Sequence, residues 1–498
     1  MTKDTVKSYT LYKLRFWIGY SILTLLLIAI FVFAVVYVPG GLTSSEQHSA
    51  LQSASLRLSD PASLLVVDMP YHALQKLSTS LLGVSSFSIK LPSLVLGIIT
   101  ALGIIVVLTR RFSRTVSILT GGIMMVSAQF ITLVSTGTPT IMMVTWPVLL
   151  LLIASLGIKN RTLHPLAVYC GSIVAALSLF TPFSVYILIA LLAGGFLHPH
   201  IRYLFRKTPR SAVIVGGGVM TAAVALLLYA SYLHPFFAAQ LTYRSSHFSL
   251  DILANIKLLA MQLIDISSST TASTGLLAPV FGLTVLAITV IGIYSLYYWR
   301  HSVTSYIVFT WTLLTIPILL INPTSLALLI VPIAILVAAG SNYVLRYWYK
   351  LFPRNPYART FALAPIAILF ACVIFSGTTR YFYAYHYYAP LANASSSDLQ
   401  LIEKELVQMP SATLLVSRDE KAFYQLYADT HGSQQTLRVT DRVSDVLGQG
   451  VVSTDVIATR TSSLPSMTIT PREIIATDRL HMPSDRLYIY KKPADNTH

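Results

Sequence analysis

Long apolar runs limit the fold of this chain more than any other feature of its sequence. About eleven runs have the 17–25 residues that an α-helix needs to cross a bilayer. They lie near residues 16–38, 91–109, 116–134, 140–157, 165–181, 183–199, 211–233, 276–298, 303–321, 324–345 and 360–378. The sequence therefore predicts a mostly α, polytopic helical membrane protein.

The composition agrees with this prediction and excludes other classes of protein. Of the 498 residues, 54% are hydrophobic and only 11% are charged, whereas soluble domains carry roughly 25% charged residues. The net charge of +16 does not indicate nucleic acid, because the basic residues form short clusters between apolar runs. Cys170 and Cys372 both lie in apolar runs and have no metal-site spacing. We expect neither a nucleic-acid partner nor a bound metal.

The basic clusters also predict which way the chain is inserted. They precede the first run and follow the second, fourth, sixth, eighth and tenth, so all of them lie on one side. By the positive-inside rule this side is cytoplasmic, as is the N-terminus. We expect a core of residues 1–378 in the cytoplasmic (plasma) membrane, with outer loops at 39–90 and 234–275. A small extracytoplasmic α/β domain would follow at 379–498, where charges become frequent and strand and helix patterns alternate.

The distribution of acidic residues in the core predicts that the chemistry takes place at the outer membrane surface. Apart from Asp4, they all lie in the two outer loops: Glu46, Asp60, Asp68, Asp251 and Asp265. No predicted span carries an acid, which argues against a proton- or ion-coupled transporter. In the first loop, apolar residues recur at helical spacing and predict a helix lying in the membrane interface. These are Tyr71, Leu74, Leu77, Leu81 and Leu82.

The first outer loop and second span carry a series of short motifs. In order, they are Glu46, Asp68-Met-Pro-Tyr71, Leu82-Gly83, Lys90-Leu-Pro-Ser93 and Arg110-Arg111, followed later by Ser135 to Thr140. This series resembles GT-C membrane glycosyltransferases of the protein O-mannosyltransferase and aminoarabinose transferase type. The resemblance covers roughly residues 16–160, and beyond them it persists as general layout.

The resemblance implies a GT-C-like fold and transfer of a sugar from a polyprenyl-phosphate donor on the outer face. The lipid-linked sugar is then a substrate, and no separate cofactor is implied. In the family an acidic pair in the first loop supplies the catalytic base. This chain departs from the family pattern at Ser45, Met69 and Thr140, where Asp, Lys and Asp are usual.

Such a transfer needs a carboxylate to take a proton and a cation to meet the leaving phosphate. The candidate catalytic residues are Glu46 first, then Asp68 and Asp60. The candidate phosphate-binding residues are Lys90, Arg244 and Arg380, with His72 beside the motif. The expected partners are membrane lipid, the polyprenyl-phosphate sugar and an acceptor that is a protein, a lipid or a glycan.

Two other functions remain open from the sequence. A lipid or polysaccharide transporter would use broken spans, for which Pro147, Pro317 and Pro332 are weak signals. A catalytically inactive GT-C-like assembly subunit would explain Ser45 and Thr140, although Glu46 and Asp68 are retained.

Overall fold

The computed structural model describes most of the chain. The described residues are 10–38, 40–57, 59–159, 164–243, 248–264, 280–351, 356–387, 394–406, 411–431, 436–448, 451–452, 455–462, 470–476 and 486–491.

Helices make up the described part of residues 10–387 almost entirely, because the apolar runs must satisfy their backbone groups internally. In chain order they are α1 (Thr10–Val36), α2 (Ser44–Ser55), α3 (Met69–Leu82), α4 (Ser86–Thr109), α5 (Arg114–Met125), α6 (Ala128–Ser135), α7 (Met142–Lys159), α8 (His164–Ser178), α9 (Ser184–Leu197), α10 (Pro199–Arg206), α11 (Arg210–Leu233), α12 (Pro235–Tyr243), α13 (Ile252–Ile264), α14 (Leu283–Tyr298), α15 (Val303–Ile321), α16 (Ile330–Leu351) and α17 (Pro356–Tyr387).

The predicted fold class is confirmed: every predicted span coincides with a helix. Among the described residues, 7 helices are long and apolar enough to cross a membrane alone. Two bent pairs, α5 with α6 at 63° and α9 with α10 at 94°, raise that number to 9. The remaining two predicted spans correspond to the shorter helices α8 and α14.

The segment between α1 and α4 folds as two helices rather than as an open loop. Thr43 and Glu46 form a capping box that starts α2. On α3, Leu74, Leu77 and Leu81 are exposed, whereas Tyr71, which the sequence pattern grouped with them, is fully buried. This division between a buried and an apolar exposed face suits a helix that lies along a membrane surface.

The C-terminal region, residues 394–491, contains a mixed sheet and two helices, α18 (Asp398–Leu406) and α19 (Lys421–His431). Five strands lie in the order β4-β3-β7-β9-β8. The first three run parallel, and β9 is antiparallel to both of its neighbours. The sheet strands are β3 (Ser411–Leu415), β4 (Thr436–Thr440), β7 (Val456–Thr459), β8 (Glu473–Ala476) and β9 (Arg486–Tyr490), and short pairs are formed by β1 (Leu42–Thr43) with β2 (Ser395–Ser396) and by β5 (Leu447–Gly448) with β6 (Val451–Val452).

The C-terminal region packs directly on the segment between α1 and α4. Strand β1 pairs with β2, so that Leu42 lies opposite Ser396. Leu42 and Ala50 of this segment share one hydrophobic cluster with Ile402 and Tyr424 of the C-terminal region. A larger cluster fills the helical core around α4, α6, α7 and α16. The predicted boundary at residue 378 stays a prediction, and α17 continues as one helix to Tyr387.

Candidate active site

Glu46 joins the start of α2 to the turn after α6. Its Oε2 accepts hydrogen bonds from the Thr43 backbone N–H at 2.7 Å and from the Thr43 hydroxyl at 3.0 Å. Its Oε1 accepts the Gly137 backbone N–H at 2.6 Å. The side chain is only 1% exposed. Both carboxylate oxygens are therefore held by groups from two separate parts of the chain.

Lys90 supplies the positive charge beside this carboxylate. Its Nζ lies 3.9 Å from Glu46 Oε1 and donates to the Gly41 carbonyl oxygen at 2.6 Å. The Lys90 side chain is 0% exposed, although the residue lies in α4 directly before the predicted span 91–109. A charge buried this deeply must be paired, so the predicted catalytic Glu46 and the predicted phosphate-binding Lys90 do come together, as an enclosed ion pair.

A network of polar side chains lies between α2, α3 and α4. The Gln75 amide donates to the carbonyl oxygens of Ile89 and Gly137, and its oxygen accepts the hydroxyls of Ser49 and Ser53. These bonds satisfy a fully buried amide and fix the angle between the helices.

His72 belongs to this network and does not face an open site. Its Nδ1 lies 2.9 Å from the Ser53 hydroxyl, and the residue is 1% exposed. Burial, aided by repulsion from His48, lowers the pKa of His72 to about 4. His72 is therefore neutral at pH 7, in a position that suits packing better than phosphate binding.

Asp68 stands at the start of α3 in a conformation that L-residues seldom adopt. Its φ is 57°, in the left-handed region, and the residue is 8% exposed. Its backbone N–H donates to the Phe180 carbonyl oxygen at 2.8 Å, and its carbonyl oxygen accepts from Tyr71 and His72. Phe183, in the same turn as Phe180, also has a positive φ, of 63°. Left-handed non-glycine residues are found disproportionately at functional sites.

Two buried tyrosines hydrogen-bond to serine hydroxyls of the surrounding helices. The Tyr71 hydroxyl lies 2.8 Å from the Ser93 hydroxyl, and the Tyr381 hydroxyl donates to Ser135 Oγ at 2.7 Å. Burial raises the pKa of Tyr71, and the negative charges of Glu46 and Asp68 add to the shift. Tyr71 is therefore a neutral hydroxyl within electrostatic reach of both acids. No chemical role was predicted for Tyr71 or Gln75 from the sequence, and only the Thr43-x-x-Glu46 spacing could have signalled the cap.

Arg380 lines a separate cavity of about 280 Å³ between the α5–α6 bend, the start of α14 and α17. Hydroxyls of Ser127, Thr284 and Ser376 line the same cavity, and its other walls are mostly apolar. The guanidinium lies near the end of α17 that leads into the C-terminal region. A cation and hydroxyls within an apolar wall form a suitable environment for a phosphate on a lipid.

The remaining sequence candidates lie elsewhere. Asp60 is exposed and caps a short 3-10 turn by accepting the Ala62 N–H at 3.1 Å. Arg244 lies outside the described residues. Ser45, at the position where the family has Asp, is exposed and shares a 3.0 Å hydrogen bond with Thr43. Within the part of the chain that the structure describes, no group of three His, Cys, Asp or Glu side chains could hold a metal ion.

Comparisons with known proteins find one matching sequence model and several similar folds. The sequence model described as dolichyl-phosphate-mannose-protein mannosyltransferase matches residues 69–229. ArnT from Cupriavidus metallidurans bound to undecaprenyl phosphate is 10% identical, with a TM-score of 0.55 over 95% of this chain and 98% of ArnT. Apo ArnT from the same organism is 11% identical, with a TM-score of 0.52 and the same coverage.

A search of curated proteins gives no match. At such low identity the ArnT structures establish the fold alone, and the family model covers about a third of the sequence. Residues 69–229 thus match the mannosyltransferase sequence model and the whole chain has the fold of ArnT, which confirms the predicted resemblance to GT-C membrane glycosyltransferases.

Proposed function

We propose that this chain is an integral-membrane glycosyltransferase that moves a sugar from a polyprenyl-phosphate donor to an acceptor hydroxyl. The proposal is carried by Asp68, a carboxylate held at 8% exposure in a left-handed conformation at the start of α3. The match of residues 69–229 to the mannosyltransferase model begins at the next residue.

Asp68 suits the role of general base better than Glu46. Protonating Glu46 would discharge its ion pair and leave Lys90 as an uncompensated buried charge, a change that costs about 3–5 kcal/mol. Both Glu46 oxygens also hold backbone N–H groups that a proton would displace. We therefore assign Glu46 and Lys90 as positioning residues, and Asp68 as the group that accepts the proton.

We assign the phosphate of the donor to the Arg380 cavity. This cavity lies among the helices of the membrane core. The planar guanidinium of an arginine can donate two parallel hydrogen bonds to two phosphate oxygens, and the neighbouring hydroxyls can donate to the remaining oxygens. Lys90, by contrast, is committed to Glu46 and to Gly41.

The transfer requires one bond to form as another breaks. The acceptor oxygen attacks the anomeric carbon, and the bond between that carbon and the phosphate oxygen breaks, with the electron pair leaving on the phosphate. Asp68 takes the hydroxyl proton, and Arg380 compensates the charge that develops on the leaving polyprenyl phosphate, which requires the donor sugar to extend from the Arg380 cavity towards Asp68. The configuration at the anomeric carbon is inverted. No atom changes its oxidation state overall, so the reaction needs no redox cofactor.

The transfer also needs no metal in this proposal, because Arg380 supplies the positive charge. Activity that survives EDTA supports this assignment, and activity that returns only on addition of Mg²⁺ or Mn²⁺ contradicts it.

The reaction takes place on the side of the membrane that carries the C-terminal region. The basic clusters support an outer position for that side of the cytoplasmic membrane, with the N-terminus in the cytoplasm. Alkaline phosphatase fused after His498 is then active, and a fluorescent protein that folds only in the cytoplasm is dark at the same position. The reverse pattern contradicts this topology.

The direct test is transfer by the purified full chain in liposomes. Radiolabelled undecaprenyl-phosphate mannose, glucose and galactose serve as donors, and detergent extracts of the host envelope serve as acceptor. Label should leave the donor with the wild type and with Asp251→Asn, an exposed acid that caps α13. It should stay on the donor with Asp68→Asn, and equal rates for both variants would remove Asp68 from the mechanism.

One observation favours the inactive-subunit alternative. Ser45 occupies the position of the family's first acid, and the acid that follows it is locked in the cap of α2. If none of the three donors is consumed while donor binding is intact, the chain is a scaffold rather than a transferase. Export of intact donor across sealed liposomes would instead favour the transporter.

A further inference from the structure

A second lipid-facing cavity lies in the half of the helical core that is away from the C-terminal region. It has a volume of about 310 Å³ and is lined by α14 and α16. Helix α16 ends at Leu351, close in sequence to the start of α17 at Pro356, whereas the C-terminal region follows the other end of α17. The cavity is therefore separate from the Arg380 cavity and from Asp68.

The crossing of α14 and α16 creates this cavity. A Cβ on Gly292 would collide with the Leu336 carbonyl oxygen, and one on Gly340 with the Ile288 carbonyl oxygen. The two backbones are in contact at these glycines. The cavity lies next to this crossing, where tyrosines replace the small residues.

The walls of the cavity are apolar and aromatic. The Tyr294 and Tyr343 rings meet edge to face with centroids 5.7 Å apart, and the Tyr343 and Tyr347 rings stack at 6.4 Å with planes 9° apart. Tyr294 and Tyr347 are more than half exposed, so the cavity opens sideways to the bilayer. Flat rings around an open groove offer a large contact area to an acyl chain.

Cations lie at one end of the groove. Arg346 is three residues after Tyr343, and Lys350 is three residues after Tyr347, so each stands one helical turn beyond a ring of the groove. Both are exposed. The sequence has no Asp or Glu between Asp265 and Asp398, so no acid from this stretch opposes them.

We infer that this groove binds one anionic phospholipid, with an acyl chain against Tyr294, Tyr343 and Tyr347 and the phosphate at Arg346 and Lys350. Both the aromatic groove and the two cations are needed for this inference, because an aromatic belt alone would anchor the helices without selecting a charge. Basic residues beside a cleft between spanning helices are the pattern that retains anionic headgroups. This inference does not depend on the proposed transferase function.

The test uses the delipidated full chain and native mass spectrometry. The protein is titrated with dioleoyl phosphatidylglycerol or, separately, with dioleoyl phosphatidylcholine. We expect the first lipid to bind at least about tenfold more tightly. Arg346→Gln combined with Lys350→Gln should weaken it by about tenfold or more, since each cation near a membrane surface contributes about fivefold.

The matched control removes two exposed charges from the same end of the bundle, by Arg202→Gln with Arg206→Gln on α10. This variant should bind phosphatidylglycerol like the wild type, and Tyr343→Ala should weaken both lipids. Equal affinity for the two lipids, an equal loss in the control, or a concentration-dependent dimer that excludes lipid from the wild type would each overturn the inference. An adduct of undecaprenyl phosphate that is lost with the Arg346 and Lys350 variant, without any loss of phosphatidylglycerol, would also overturn it.

Discussion

Lys90 Nζ lies 3.9 Å from Glu46 Oε1, and neither side chain reaches the surface of the protein. The pair connects three parts of the chain, because Lys90 also donates to Gly41 and Glu46 also accepts from Gly137. The segment that carries Asp68 is thereby tied to the turn after α6 and to the strand that pairs with the C-terminal region. The ion pair holds the candidate site together without taking part in the proton transfer that we propose.

Lys90→Met should lower the free energy of unfolding by about 3–5 kcal/mol, because it leaves the Glu46 carboxylate buried without its counter-charge. Adding Glu46→Gln should recover much of this loss, since the double variant buries no net charge. The measurement is a double-mutant cycle on thermal unfolding in detergent. Lys76→Met, at a half-buried lysine that donates to the Leu56 carbonyl oxygen, is the control and should cost less. Additive effects of Lys90→Met and Glu46→Gln would show that the pair is not coupled.

Asp68→Gly should separate the backbone role of this residue from its chemical role. Glycine adopts the left-handed φ of 57° without the strain of about 1–2 kcal/mol that other residues carry there. The variant should therefore fold at least as stably as the wild type. Transfer should fall by about 100-fold or more, the contribution typical of a general base. The measurements are thermal unfolding and the separate determination of kcat and KM. A stable variant with normal kcat would refute the assignment.

The stability of the protein should fall in acid through His72. Its pKa is lowered from an ordinary 6.5 to about 4, so between these values the unfolded chain binds a proton that the folded chain excludes. Above pH 6.5 His72 is neutral in both the folded and the unfolded state. As the pH falls from 6.5 towards 4, the free energy of unfolding decreases by about 3 kcal/mol in total. Unfolding measured from pH 7 to pH 4.5 should show this slope for the wild type and for His234→Gln, an exposed histidine. The slope should flatten in His72→Gln.

The spans could be predicted from the sequence because a bilayer leaves few choices to a long apolar run. The runs 165–181 and 183–199 were divided at Thr181-Pro182 on the proline and the total length alone, and the structure has a turn there between α8 and α9. In the C-terminal region the buried strands β3 and β7 were visible as short apolar runs. Strand β4 was not predicted, because Thr-Leu-Arg-Val-Thr has too few apolar residues to stand out.

The candidate site was harder to predict from the sequence than the spans were, for a physical reason. Its partners lie far apart along the chain: Glu46 bonds Gly137, Lys90 bonds Gly41, and Tyr381 bonds Ser135. A sequence shows that a carboxylate and an ammonium group are present, but not that both are sealed from solvent. His72 illustrates this, since a histidine beside a motif suggested phosphate binding until its burial and its bond to Ser53 were visible.

Gly41→Ala should detach the C-terminal region from the segment that carries Asp68. A Cβ on Gly41 would collide with the Ser396 carbonyl oxygen, so β1 and β2 could pair only after the backbone moves. Overpacking of this kind costs about 1–3 kcal/mol. Limited proteolysis in detergent should then release the C-terminal region faster than in the wild type. Gly217→Ala is the matched control, because nothing lies within 4 Å of the added Cβ on α11 and helix propensity favours alanine. If both variants are cleaved at the wild-type rate, the β1–β2 pair does not hold the C-terminal region in place, and the apolar contact of Leu42 and Ala50 with Ile402 must be sufficient alone.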